Sequence, residues 1–135
     1  MAQEVGPTLE MSAYLDTHVA LWLYAGETQR LSKRAAGTIN REALAISPLV
    51  LLEMQYLREI GRITVAPKAV ATDLGRRLGL AVEDRSTAAL IEQCMNLPWT
   101  RDAFDRLIVA QAALDNAWLI TRDRLILKHY PKAVW

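Results

Sequence analysis

Asp16, Glu53, Asp105 and Asp123 are four acids in positions where a carboxylate needs a reason. Asp16 closes the apolar run AYL and Asp123 follows AWLIT, so each falls just past a segment that reads as a short buried strand. Glu53 lies inside PLVLLEMQYLREIG, where the residues three and four positions away are Leu49, Val50, Tyr56 and Leu57, and Ile60 continues the stripe. That spacing puts the carboxylate in the middle of an apolar helix face. Asp105 repeats the pattern, with Ile108, Val109 and Ala112 following at helical spacing. Singly, each acid has an ordinary reading. Asp16 and Asp123 would cap the next helix, Asp105 would complement a helix dipole, and Glu53 would reach out from the edge of its stripe. Together they describe one pocket of carboxylates, which repel one another and need a counter-charge. No buried lysine stands near these segments, and an all-oxygen donor set without a histidine cluster favours Mg²⁺ or Mn²⁺ over zinc. Such an ion can hold a phosphate, generate hydroxide from bound water and stabilise a departing oxyanion.

The triplet TRD occurs twice, at Thr100–Asp102 and Thr121–Asp123. In the first copy Asp102 suits the N-cap of the following helix, which places Asp105 at N3, one turn along. Arg101, Arg106, Arg122 and Arg124 flank the acids. Guanidinium groups grip phosphate oxygens bidentately, so these are candidate phosphate contacts; solvation of helix surfaces or pairing with neighbouring acids is the competing reading. His18 reads as a packed or half-exposed residue of the first helix, and His129 as surface. Cys94 reads as a small buried apolar residue, and the four tryptophans as core or interface packing.

The elements that must position the acids alternate. Strands are expected at Ala13–Leu15, LAIS, LAVED, AWLIT and KAVW. Between them, Ser32, Ser47 and Ser86 read as N-caps, Pro48 as a first-turn proline, and Gly26 and Gly61 as helix stops. Strands alternating with helices imply an α/β fold with a parallel sheet covered on both faces. Ligands of such sheets bind beyond the carboxyl ends of the strands, where Asp16 and Asp123 fall.

With 135 residues and 52% hydrophobic content, the chain suits one domain with a substantial core and excludes disorder. We expect a flexible extension over 1–12 and one domain over 13–135, with Met11 as an alternative start. A net charge of +1 supplies no global basic field, so nucleic-acid binding needs local arginines. A single cysteine excludes an internal disulfide, and no signal pattern or run of roughly 18 apolar residues appears; both fit a cytoplasmic protein without a membrane anchor.

The segments YLDTHVALWL, ISPLVLLEMQYL, TRDAFDRLIVAQA and WLITRD, in this order and spacing, resemble the PIN-domain ribonucleases of the VapC toxin type over almost the whole chain from Ala13 to Trp135. The resemblance implies a three-layer α/β/α sandwich with a parallel sheet of about five strands. It implies a Mg²⁺- or Mn²⁺-dependent endoribonuclease toxin, leaving 5′-phosphate and 3′-OH ends, inhibited by a VapB-type antitoxin and joined as a homodimer through helices. The family's four acids fall on Asp16, Glu53, Asp105 and Asp123, with Asp16 and Asp105 as the main metal ligands. Asp102 belongs to a wider signature of one subgroup, in which proline often stands where this chain has Ala103, and the family's hydroxyl residue near the last acid falls on Thr121. The helices HVALWLY and LVLLEMQYL carry surplus apolar side chains that suit a dimer face or an antitoxin groove.

Rival readings are a Mg²⁺-dependent phosphohydrolase of the haloacid-dehalogenase type, a receiver-like phospho-acceptor and a catalytically inactive binding module on the same fold. The first wants an acid two residues after the first aspartate, where His18 stands. The second wants a buried lysine on a late strand, which AWLIT lacks. The third is opposed by the full set of four acids. No P-loop is present.

Overall fold

The computed structural model describes residues 12–135. The expected extension lies outside the described residues as far as position 11, while Ser12, also assigned to it, opens the first strand. Five strands, β1 (Ser12–Leu15), β2 (Ala43–Ile46), β3 (Ala81–Val82), β4 (Trp118–Ile120) and β5 (Ala133–Val134), form one sheet in the order β3-β2-β1-β4-β5. Every pairing is parallel; β1 is central, with Ala13 opposite both Leu44 and Trp118. LAVED yields only two paired residues because β3 is an edge strand reached by Ala45 and Ile46 alone. The chain winds outward from β1 to β3 and then returns past it to β4. The connections leaving β1 and β4 therefore run to opposite faces of the sheet, the switch point at which such sheets open a crevice.

Among the described residues, seven α-helices make the crossovers: α1 (Thr17–Ala25), α2 (Lys33–Arg41), α3 (Pro48–Glu59), α4 (Pro67–Leu78), α5 (Thr87–Cys94), α6 (Ala103–Leu114) and α7 (Arg124–His129). Their limits follow from local chemistry. Ser32, Ser47 and Ser86 each accept a backbone N–H of the next turn, from Ala35, Leu49 and Ala89. Gly26 ends α1 at a φ of 73°, a left-handed conformation that costs glycine little. A 3-10 turn at Thr28–Arg30, without a sequence signal of its own, links α1 to α2.

Right-handed crossovers in both winding directions cover both sheet faces, giving the three-layer α/β/α sandwich. α1 packs on α3 and α4, α5 on α6, and α3 also meets α6. The core centres on Leu15, Ile46, Leu119 and Ile120 of the sheet, with Val19, Val50, Met54, Leu74, Ile108 and Val109 from the helices. One expectation needs correction. The buried face of α3 runs through Val50 and Met54, whereas Tyr56 and Ile60 are each 50% exposed. Glu53 therefore sits at the border of the buried face, since α3 is apolar around more of its circumference than one stripe.

A polar lock ties the far end of α6 to the sheet. Asp115 accepts the Tyr14 hydroxyl at 2.5 Å and both Nε and Nη2 of Arg85 at 2.9 and 2.7 Å. Fully buried Gln111 donates to the Tyr14 hydroxyl and to the Glu83 carbonyl. Asp115→Ala strips the acceptor from two partly buried donors and should lower unfolding stability by about 2 kcal/mol, measured by urea denaturation. A loss below about 0.5 kcal/mol would show the lock to be dispensable.

Candidate active site

Three helices begin at the crevice, and an aspartate caps each. Asp16 directly follows β1 and its Oδ1 accepts the Thr17 N–H at 2.8 Å. Asp123 follows β4 and its Oδ1 accepts the Ile126 N–H at 2.9 Å. Asp102 caps α6 by accepting the Asp105 N–H at 3.0 Å, the geometry its spacing predicts. Capping and site membership are thus compatible: one carboxylate oxygen closes the helix and the second remains. For Asp16 that second oxygen, Oδ2, accepts the Thr121 hydroxyl at 2.6 Å. Asp16 and Thr121 are 3% and 0% exposed, so this bond lies at the dry floor of the crevice.

Thr121 also accepts the Asp123 N–H at 3.0 Å, so one hydroxyl joins the ends of β1 and β4. Glu53 reaches the same region from α3 and accepts the Thr17 hydroxyl in a short hydrogen bond. Among the described residues its partner is a hydroxyl, with no arginine or lysine at salt-bridge distance. Asp105 stands at the N-terminal end of the buried face formed by Ile108, Val109 and Ala112, half-buried. No hydrogen bond to its side chain is found among the described residues.

The electrostatics show that these acids sense one another. Burial pushes the Asp105 carboxyl up to about 7, and the charges of Asp16, Asp102, Asp123 and Glu53 all push the same way. Glu53 is also raised, first by burial; the Thr17 hydrogen bond opposes this, and Asp16 and Asp102 add to it. The donor set fits a hard divalent cation in its chemistry, because it is all oxygen and its repulsion is unrelieved. Among the described residues, no three His, Cys, Asp or Glu groups stand together closely enough to hold one ion.

The flanking arginines divide. Arg101, Arg122 and Arg124 are exposed near the acids. Arg106 turns towards the end of α5, where its Nε donates to the Cys94 carbonyl at 2.9 Å. Two further residues stand beside these acids: Thr17, which local pattern left unmarked, and His18, which it read as packed or half-exposed. Thr17 carries the hydroxyl that holds Glu53. His18 accepts the Arg122 N–H on Nε2 at 3.0 Å, across 104 positions of sequence. Its Nδ1 lies 3.7 Å from Asp16 Oδ2. Burial lowers the His18 imidazole against the pull of Asp16 and Asp123. We therefore read that 3.7 Å approach as a neutral ring beside a carboxylate and not as an ion pair. An accepting Nε2 agrees, since it carries no proton.

The family model described as PIN domain matches residues 13–132. No curated protein matches the chain. Among solved structures, a toxin-antitoxin complex from Klebsiella pneumoniae is similar, with a TM-score of 0.60 at 20% identity, covering 92% of this chain and 97% of that one. VapBC2 from Rickettsia felis, bound to a DNA fragment from its promoter, gives a TM-score of 0.61 at 20% identity, covering 91% and 96%. At that identity both likenesses speak for the fold.

The raised Asp105 carboxyl makes stability fall with pH. Between the unfolded-state carboxyl value near ~4 and about 7, the folded metal-free chain binds more protons than the unfolded one, so ΔG of unfolding declines as pH rises. Asp105→Asn removes the charge without breaking a side-chain bond. It should flatten this decline and be at least as stable as the wild type at neutral pH, read from thermal midpoints between acid and neutral pH in a chelating buffer. An unchanged slope would place Asp105 outside the coupled set.

Proposed function

We propose that this chain, which belongs to the PIN domain family, is a metal-dependent endoribonuclease and the toxin partner of a toxin–antitoxin pair. The observation that carries the reading is the convergence of Asp16, Asp123 and Glu53 on a sheet switch point, tied there by the Thr121 and Thr17 hydroxyls, with Asp105 near enough for all of them to push its carboxyl up. Asp16 and Asp105 would be the main holders of Mg²⁺ or Mn²⁺, with Glu53 and Asp123 completing the set directly or through water. When bound, the ion supplies positive charge for the phosphate and a bound water acidic enough to serve as nucleophile near neutral pH.

The chain's own residues then have defined tasks. Thr121 fixes the Asp16 carboxylate and Thr17 that of Glu53, so neither acid rotates away as charge develops. Exposed Arg101, Arg122 and Arg124 flank the crevice and suit the phosphates on either side of the scissile bond. Arg106 contributes through α5 packing. Hydrolysis would leave 5′-phosphate and 3′-OH ends. A catalytically inactive module on the same fold, or a phosphohydrolase acting on small esters, is the alternative that the activity test separates.

Both partner proposals rest on surface features. Leu52, Tyr56 and Ile60, spaced by four along α3, are 56%, 50% and 50% exposed and form a stripe suited to a second copy of the chain. An apolar groove of about 460 Å³ between α3 and the start of α4, lined by Leu51, Leu52, Ala66 and Pro67 and flanked by Arg58 and Lys68, suits an apolar antitoxin segment carrying acidic residues. The similar solved structures, a toxin-antitoxin complex and a DNA-bound VapBC2, support such a partner. No helix among the described residues is long and apolar enough to cross a membrane.

Brief expression of the wild type should create new 5′-phosphate RNA ends at defined positions, and Asp105→Asn should abolish them, read by end sequencing. Mn²⁺ should raise the thermal midpoint of the wild type by a few degrees or more, roughly 1 kcal/mol in linkage, with the gain lost in Asp105→Asn and reduced in Asp16→Asn. Identical RNA ends from both proteins would remove the nuclease reading and favour the inactive module. Cleavage of small phosphate esters alone would favour the phosphohydrolase.

A further inference from the structure

The loop Thr121–Asp123 carries an acid of the site, yet it is only three residues between β4 and α7. Each of its backbone N–H groups has a separate acceptor. Thr121 donates to the Val134 carbonyl at 3.1 Å, Asp123 to the Thr121 hydroxyl at 3.0 Å, and Arg122 to His18 Nε2 at 3.0 Å. Two of these acceptors lie on the adjoining strand or within the loop. Of these three backbone acceptors, His18 is the side chain that comes from a different helix, α1, whose cap Asp16 meets the loop separately through the Thr121 hydroxyl.

The imidazole is itself braced. Its ring meets Trp22 edge-on at 5.0 Å, and Trp22 meets Trp135 at 5.8 Å, next to the Val134 that accepts the Thr121 N–H. Arg30 lies over the outer side of Trp22 at 5.3 Å. The contacts close a ring: loop to His18, to Trp22, to Trp135, and through β5 back to the loop. Side chains that pack in this way hold a rotamer and not merely a position.

We propose that His18 is a positioning residue, which sets the Asp123 loop against Asp16 by presenting Nε2 to the Arg122 N–H. The proposal rests on the reading of the crevice as a cation-holding site. His18 is assigned no contact with substrate or ion. Its effect passes through the spacing of the two strand-end acids, because α1 carries both His18 and its cap Asp16, while Arg122 precedes Asp123 directly. Outer-sphere partners of this kind change metal affinity by about tenfold or more when removed.

Two amides separate this role from any role of the other ring nitrogen. A glutamine oxygen lies at the same bond count from Cβ as Nε2, and an asparagine oxygen at that of Nδ1, which faces Asp16. The full chain is compared as wild type, His18→Ala, His18→Asn and His18→Gln, by backbone amide hydrogen exchange and by calorimetric titration with Mn²⁺ alone. In the Ala and Asn variants, the Arg122 amide should exchange about tenfold faster or more, and Mn²⁺ affinity should weaken about tenfold. In His18→Gln both should stay within about twofold of the wild type. Should His18→Ala unfold, as a thermal scan would reveal, the Asn and Gln pair carries the comparison. Unchanged Arg122 protection in His18→Ala, rescue by Asn equal to that by Gln, or faster exchange with unaltered Mn²⁺ affinity would each overturn the proposal. If the wild type binds no Mn²⁺, the cation reading fails, and amide exchange alone decides whether His18 holds the loop.

Discussion

One hydroxyl does the joining on which the site depends. Thr121 Oγ donates to Asp16 Oδ2 and accepts the Asp123 N–H, so a single buried atom fixes the end of β1 to the end of β4. This works only because the strands are parallel and in register, with Leu15 opposite Ile120. A slip of one residue would turn Thr121 to the other face of the sheet and leave the Asp16 carboxylate buried without its partner. The register is in turn specified by apolar residues buried on both faces of these strands, among them Leu15, Leu119 and Ile120. Core packing thus sets the register, and the register brings the polar groups of the crevice together.

The acids are costly to hold in one place, and the fold offsets part of that cost. α1, α6 and α7 all start at the crevice, so their free N–H groups and the positive ends of their dipoles face the carboxylates. Asp16, Asp102 and Asp123 each take one such N–H. Asp105 does not: it lies inside the first turn of α6, half-buried, and its carboxyl rises to about 7. The acid with least local support is therefore the one whose ionisation depends most on a charge from outside the chain. In this Asp105 differs from the three capping acids, each of which holds a helix N–H.

Local chemistry was legible in the sequence, and distant contacts were not. Ser32, Ser47, Ser86 and Asp102 were readable as caps because a cap is written within four residues of its own helix. Asp105 was readable because buried Ile108, Val109 and Ala112 follow it at helical spacing. Glu53 was misplaced towards the middle of its face because α3 is apolar on more than one side, and periodicity alone does not choose which side is covered. His18 was readable as a packed or half-exposed helix residue, which it is, but its bond was not. Its bond to Arg122 spans 104 positions, and nothing near either residue encodes it. The Thr17 hydroxyl was hidden for the same reason: its partner Glu53 is 36 positions away.

The geometry of α3 joins the site to the surface. One side of this helix packs Val50 and Met54 into the core, its border carries Glu53 into the crevice, and another side exposes Leu52, Tyr56 and Ile60. The Tyr56 ring lies 6.1 Å from that of Phe104, the residue before Asp105. The exposed stripe therefore lies one ring contact from the first turn of α6, which carries Asp105. The opposite end of the same helix is held separately, where Asp115 accepts from Tyr14 and Arg85. Because α3 packs on α6, the spacing of Glu53 and Asp105 depends on how this helix pair seats against the sheet.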